Sequence, residues 1–141
     1  MLSSPVPGCG FEEVDHTADW SYRVWGPDLE SLFIQAAIAL NTGAELQLAD
    51  QPRVIRELEI HGIDPESLLV AWLNELLYLR ESENLGFDQF EILKLSPQVL
   101  NVRMSGAEIQ RWVKTIKAVT YHNLAIHKTD RGFEATLVLD V

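Results

Sequence analysis

Polar and apolar residues alternate through 19–26, with Trp20, Tyr22 and Val24 on one face and Ser21, Arg23 and Trp25 on the other. A period of two predicts a strand. The shorter stretch 11–15 before it reads as an edge strand. The period then changes. Leu29, Leu32, Phe33, Ala36, Ala37 and Leu40 recur at helical spacing behind Asp28, an N-cap residue, and Glu30, an acid in the first turn. Gly43 is the expected terminator of that helix. A β-branched run at 54–60 predicts another strand. Asp64-Pro65-Glu66 opens a second helix with an N-cap, a proline at the first helical position and an acid in the first turn. That helix should end near Ser82. Its apolar residues (Leu68, Leu69, Val70, Ala71, Trp72, Leu73, Leu76 and Leu77) cover more than one stripe, which predicts an enclosed helix with Trp72 in the core.

Strand-like segments follow at 89–95, 99–104, 114–126 and 133–141, with breaks at Ser96-Pro97, Ser105-Gly106 and Asp130-Arg131-Gly132. The order is two strands, a helix, a strand, a helix, then a run of strands. Consecutive strands joined by short turns favour an α+β domain, a mixed or antiparallel sheet covered by two helices.

Composition narrows this picture without changing it. A chain of 141 residues fits a single domain, and at that size folding buries roughly 68% of the unfolded surface. The opening MLSSPVPGCG is rich in proline, glycine and serine, so 1–10 is expected to be a flexible tail and 11–141 the domain. It lacks the basic start and apolar stretch of a secretion signal. Cys9 is the single cysteine, so no internal disulfide forms, and a reducing, cytoplasmic setting is expected. No apolar run reaches the ~20 residues that span a bilayer.

Charge excludes more. The net charge is −10 and it is uneven: residues 1–70 carry 3 basic and 12 acidic side chains, residues 71–141 carry 8 and 9. Phosphate neutralisation supplies most nucleic-acid affinity, so direct binding to RNA or DNA is not expected, and a basic protein is the better partner. Phosphate loops, GxGxxG turns, GxSxG elbows and CxxC pairs are all missing from the sequence.

The densest chemistry is Asp15-His16-Thr17-Ala18-Asp19. Such residues cap the backbone of turns. The cluster also suits a hard cation or acid/base work, but two aspartates do not complete the coordination of Ca²⁺ or Mg²⁺. Asp140 and the main-chain end at Val141 are the expected completion, because converging carboxylates repel without a cation and bind one readily. In 115–122, read as a strand, Ile116, Ala118, Thr120 and His122 share one face. Lys117, Val119 and Tyr121 share the other, and Lys117 either snorkels to solvent or offers a point charge to a phosphate or carboxylate. His122 alone reads as a hydrogen-bonded core histidine.

Four segments in this order resemble the archease family: Asp15-His16-Thr17-Ala18-Asp19, Trp72-Leu73-Asn74-Glu75-Leu76-Leu77-Tyr78, Ile116-Lys117-Ala118-Val119-Thr120-Tyr121-His122 and Leu139-Asp140-Val141. The resemblance runs from Phe11 to the last residue. It implies an archease-like α+β fold and an accessory role toward the GTP-dependent tRNA-splicing ligase of the RtcB type. That role is to promote guanylylation and multiple turnover in RNA repair without joining RNA. It also implies a divalent cation, calcium before manganese or magnesium, held by Asp19, Asp140 and Val141. Asp15 and His16 are secondary candidates, and Asp19, Lys117 and Asp140 are the ligase-activating residues. Trp20 departs from the pattern, standing where the family more often has a small aliphatic residue, which bears on the approach of a partner. Two rival readings are an autonomous metal-dependent hydrolase, with His16 as base, and a chaperone-like interaction module.

Overall fold

The computed structural model describes residues 8–14, 20–121 and 124–141. The Asp15–Asp19 cluster, His122 and residues 1–7 of the expected tail lie outside them. Of that tail, Cys9 is buried and Gly10 opens the first strand, pairing with Trp25.

The elements are β1 (Gly10–Val14), β2 (Trp20–Gly26), α1 (Leu29–Ala44), β3 (Gln47–Leu48), β4 (Val54–His61), α2 (Pro65–Glu83), β5 (Leu85–Leu95), β6 (Val99–Arg111), β7 (Ala118–Thr120), β8 (His127–Thr129) and β9 (Gly132–Asp140). The α+β class with two helices is as expected, but the strands form two sheets, and every pairing in them is antiparallel. In the first sheet β9 is central. It pairs along one side with β2, which carries β1, and along the other with β8 at its start and β7 at its end. In the second sheet β6 is central, with β5 on one side and β4 then β3 on the other.

Both helix starts follow the capping chemistry read from the sequence. The Asp28 carboxylate accepts from the Ser31 N–H at 2.7 Å. Asp64 and Ser67 form a reciprocal capping box that satisfies N–H groups the helix itself leaves orphaned. The ends differ. α1 continues through Gly43 and closes at Glu45, in the left-handed region at φ 53°. Gly43 serves close approach instead: a Cβ there would stand 2.9 Å from the Tyr22 hydroxyl and 3.2 Å from the Trp20 ring. A glycine inside a helix is a packing device when a neighbouring element presses on the backbone.

Helix α1 lies against β1, β2, β9 and β5, and α2 against β4, β5, β6 and β7, so the two helices tie the sheets together. Trp72 sits at this junction. It is buried, its indole N–H donates to the Phe33 carbonyl at 3.1 Å, and its ring meets Phe90 edge-on. The enclosed character read from α2 is therefore met. The outer face of the second sheet is wet: Ile55, Glu57, Glu59 and His61 point outward along β4, and Arg103 bridges Glu57 and Glu91 at 3.1 Å each.

Two strand assignments need correction. The expected break at Ser105-Gly106 is absent, because β6 runs straight through it to Arg111 and β5 begins at Leu85. Here the glycine marks contact between main chains, with the Gly86 carbonyl and the Phe87 Cα pressed against it. The single strand expected over 114–126 reduces to three residues, 118–120. Val113 and Lys114 both donate their main-chain N–H to Ala44 O, at 2.9 and 3.2 Å, which bends 112–117 over the end of α1. Ile116 and Val119 are both buried, a spacing of three that a flat strand does not give.

Candidate functional site: the junction of β7 and β9

Where β7 meets the end of β9, the segments bearing the sequence-predicted residues that the structure describes, Lys117, Asp140 and Val141, come together. The Lys117 N–H donates to the Asp140 carbonyl at 2.7 Å, and Ala118 lies opposite Asp140 in the ladder. The side chains of Lys117 and Asp140 are exposed, and Val141 is 55% exposed. On the other side of β9, Trp20 lies opposite Leu139, and Val14 lies opposite Ser21. Both described ends of the β1–β2 connection, Val14 and Trp20, therefore sit at the same end of the sheet as Asp140. Asp15, His16 and Asp19 belong to that connection and lie outside the described residues.

This corner is not held by strand pairing alone. Asn74, on α2, uses both halves of its amide on one residue of β7. Its Oδ1 accepts from the Val119 N–H at 2.8 Å and its Nδ2 donates to the Val119 carbonyl at 3.1 Å. The side chain so completes the free edge of a three-residue strand that would otherwise be weakly pinned. Sequence reading gave Asn74 no role. The available signal was a lone amide set among leucines on an enclosed helix, where a polar group must find partners. Replacing Asn74 with leucine should cost about 2 kcal/mol, since it leaves a part-buried N–H and C=O unpaired. Urea unfolding would measure the loss, and amide exchange at Val119 should speed up with it.

The segment is tied down a second time at Tyr121. Its hydroxyl donates to the Asp64 carboxylate at 3.3 Å. Hydrogen bonds from Ser67, main chain first, hold the Asp64 carboxyl below its ordinary value. The Tyr121 phenol is pushed up, mainly by burial and then by the Asp64 charge. Asp64 therefore caps a helix and anchors the segment that follows Lys117. Ile126, farther on, donates its N–H to Glu66 at 3.0 Å, so the first turn of α2 grips the chain on both sides of 122–123.

Among the described residues, no three His, Cys, Asp or Glu side chains gather as a metal-binding group. The expected ligand set draws on Asp19, which lies outside them, and on Val141, which would contribute a main-chain oxygen. Asp140 itself fits a hard cation. It is a carboxylate, exposed at a strand end, and no hydrogen bond or ion pair among the described residues engages its side chain.

The geometry defines a small α+β domain of two antiparallel sheets bound by two helices, with a charged corner where its last strand meets β7. The chain belongs to the archease family: residues 11–141 match the Archease protein family (MTH1598/TM1083). It is 33% identical to the archease of Methanosarcina mazei over 149 residues, covering 97% of this chain and 99% of that one. It is 34% identical to the archease of Saccharolobus islandicus over 137 residues, covering 93% and 98%. The fold matches the crystal structure of an archease, described as a possible chaperone, from Thermotoga maritima. That match has a TM-score of 0.69 at 20% identity over 100% of this chain and 98% of that one. It also matches the solution structure of protein 1598 from Methanobacterium thermoautotrophicum, with a TM-score of 0.65 at 27% identity over 94% and 99%. No helix among the described residues is long and apolar enough to cross a membrane.

Proposed function

We propose that this protein is an accessory factor of an RtcB-type RNA ligase, promoting guanylylation and multiple turnover through an acidic, cation-holding corner, and that it joins no RNA itself. Membership of the archease family supports the accessory role. The observation that carries the site is the main-chain bond from the Lys117 N–H to the Asp140 carbonyl, which brings the two segments bearing these residues together at one end of the sheet. Covalent geometry supports the third member. Asp19 is bonded to Trp20 and Asp140 to Leu139, and Trp20 and Leu139 are ladder partners. Two peptide steps and one strand spacing keep the Cα atoms of Asp19 and Asp140 within about 13 Å.

In this reading Asp19, Asp140 and a main-chain oxygen of Val141 hold a divalent cation, calcium before manganese or magnesium, with Asp15 and His16 as outer partners. When bound, such an ion supplies a Lewis-acid centre for phosphate oxygens. The chain's own groups do the rest. The net charge of −10 favours docking into a basic RNA cleft, and Lys117 offers a point charge to a phosphate or a facing carboxylate. The association is transient and cytoplasmic, because the factor must leave before RNA enters. High salt should weaken it. Multiple-turnover RNA ligation by such a ligase, with and without this protein, tests the proposal. An unchanged number of turnovers per ligase would reject it.

A further inference from the structure

Among the described residues, Arg80 is the only charged side chain that is buried, at 6% exposure. A guanidinium presents five N–H donors, and burying it without a carboxylate is costly. Here its Nη2 donates to Asn41 Oδ1 at 2.7 Å, and no described carboxylate stands within ion-pair distance. The nearby acid Glu83 is taken by Arg56 at 3.1 Å. Burial lowers the Arg80 pKa to about 10, which still leaves the group protonated at neutral pH. A charge retained in this way, facing open space, calls for a counter-charge from outside the chain.

That space is a cleft of about 380 Å³ between the end of α2 and the bent segment 112–117. Ligand pockets begin at roughly this size. Lys114 and Lys117 stand with Arg80 in its wall, against one exposed acid, Glu81, while Leu77, Trp112 and Ile116 line it with hydrocarbon. The lining is thus net positive in a chain of net charge −10. Lys114 is placed rather than free: its main-chain N–H is held by Ala44 O, and its ammonium sits 4.9 Å from the centre of the Trp20 ring. We infer that this cleft binds a phosphate-class oxyanion carried on a small molecule. The Arg80 fork takes two oxygens, Lys114 and Lys117 neutralise the remaining charge, and the Trp112 wall takes the apolar part of the ligand. A planar fork matches phosphate bidentately, and a doubly charged anion answers three cations better than a lone carboxylate does.

The inference does not rest on the ligase reading. Its test uses the isolated, metal-free protein in chelator at constant ionic strength, titrated calorimetrically with inorganic phosphate, pyrophosphate and a nucleoside monophosphate. Saturable one-site binding is expected. Tighter binding of the nucleotide than of phosphate would assign the apolar wall to an organic carrier, and equal affinities would assign the site to the inorganic anion. Arg80→Met, close in volume, should weaken binding at least tenfold with the melting temperature retained or raised. Lys114→Ala should weaken it about threefold to tenfold. If Arg80→Met does not fold, Lys114→Glu at the exposed rim decides instead and should abolish binding. No saturation by roughly 10 mM ligand, or undiminished affinity in the charge variants, would overturn the site.

Discussion

Asp140→Ala is expected to give a folded protein that no longer stimulates a partner ligase. The side chain is exposed at the end of β9, while the main-chain carbonyl that receives Lys117 is untouched by the substitution. Stability should change by less than about 0.5 kcal/mol, as for other surface positions. Function should respond very differently. Even outer partners of metal ligands are worth about 10–100-fold in affinity, so a carboxylate that ligates directly should be worth at least that. Calorimetric titration with Ca²⁺ and Mn²⁺, beside a multiple-turnover ligation assay, measures both. Asp19→Ala should behave alike and Lys117→Ala should lose stimulation while keeping the cation. Full stimulation by folded Asp140→Ala would leave only the chaperone-like module. Turnover of RNA or phosphoesters by this protein alone, with metal and no partner, would instead favour the hydrolase.

The second large effect concerns stability. Gly106→Ala should unfold the domain or cost more than about 4 kcal/mol, at the upper end of what single substitutions do. A Cβ at residue 106 would lie 1.8 Å from the Gly86 carbonyl oxygen and 2.7 Å from the Phe87 Cα. Both atoms are main chain, so no side chain can rotate to make room. β6 is the central strand of its sheet, paired to β5 and β4 at this very residue. Separating the strands there breaks two ladders together. Gly43→Ala provides the comparison. Its nearest neighbours are the side chains of Tyr22 and Trp20, which can shift a little, and alanine favours a helix interior. It should cost about 1–2 kcal/mol. Urea midpoints of the two variants would reveal the ranking, and equal midpoints would contradict it.

The two glycines also explain where reading the chain went astray. Gly43 and Gly106 both read as punctuation, a helix end and a strand break, because turns are the commonest use of glycine. Each proves to be a place where another element presses on the backbone, and that neighbour lies far away in sequence. The same holds for 114–126. Its β-branched residues suit a strand, but contacts with Ala44, Asn74 and Asp64 bend it so that, among its described residues, 118–120 alone forms a strand. Propensity is local, and these constraints are not.

Both helices with their N-caps, the α+β class and the enclosed Trp72 were legible in the chain before any fold was known. These follow from periodicity, capping and side-chain type, all set by residues a few positions apart. The division into two antiparallel sheets, the amide clamp of Asn74 on Val119 and the burial of Arg80 beside Lys114 emerged only in the folded molecule. The clamp and the cleft each join groups more than thirty residues apart, and which partner wins is settled only when the whole core closes.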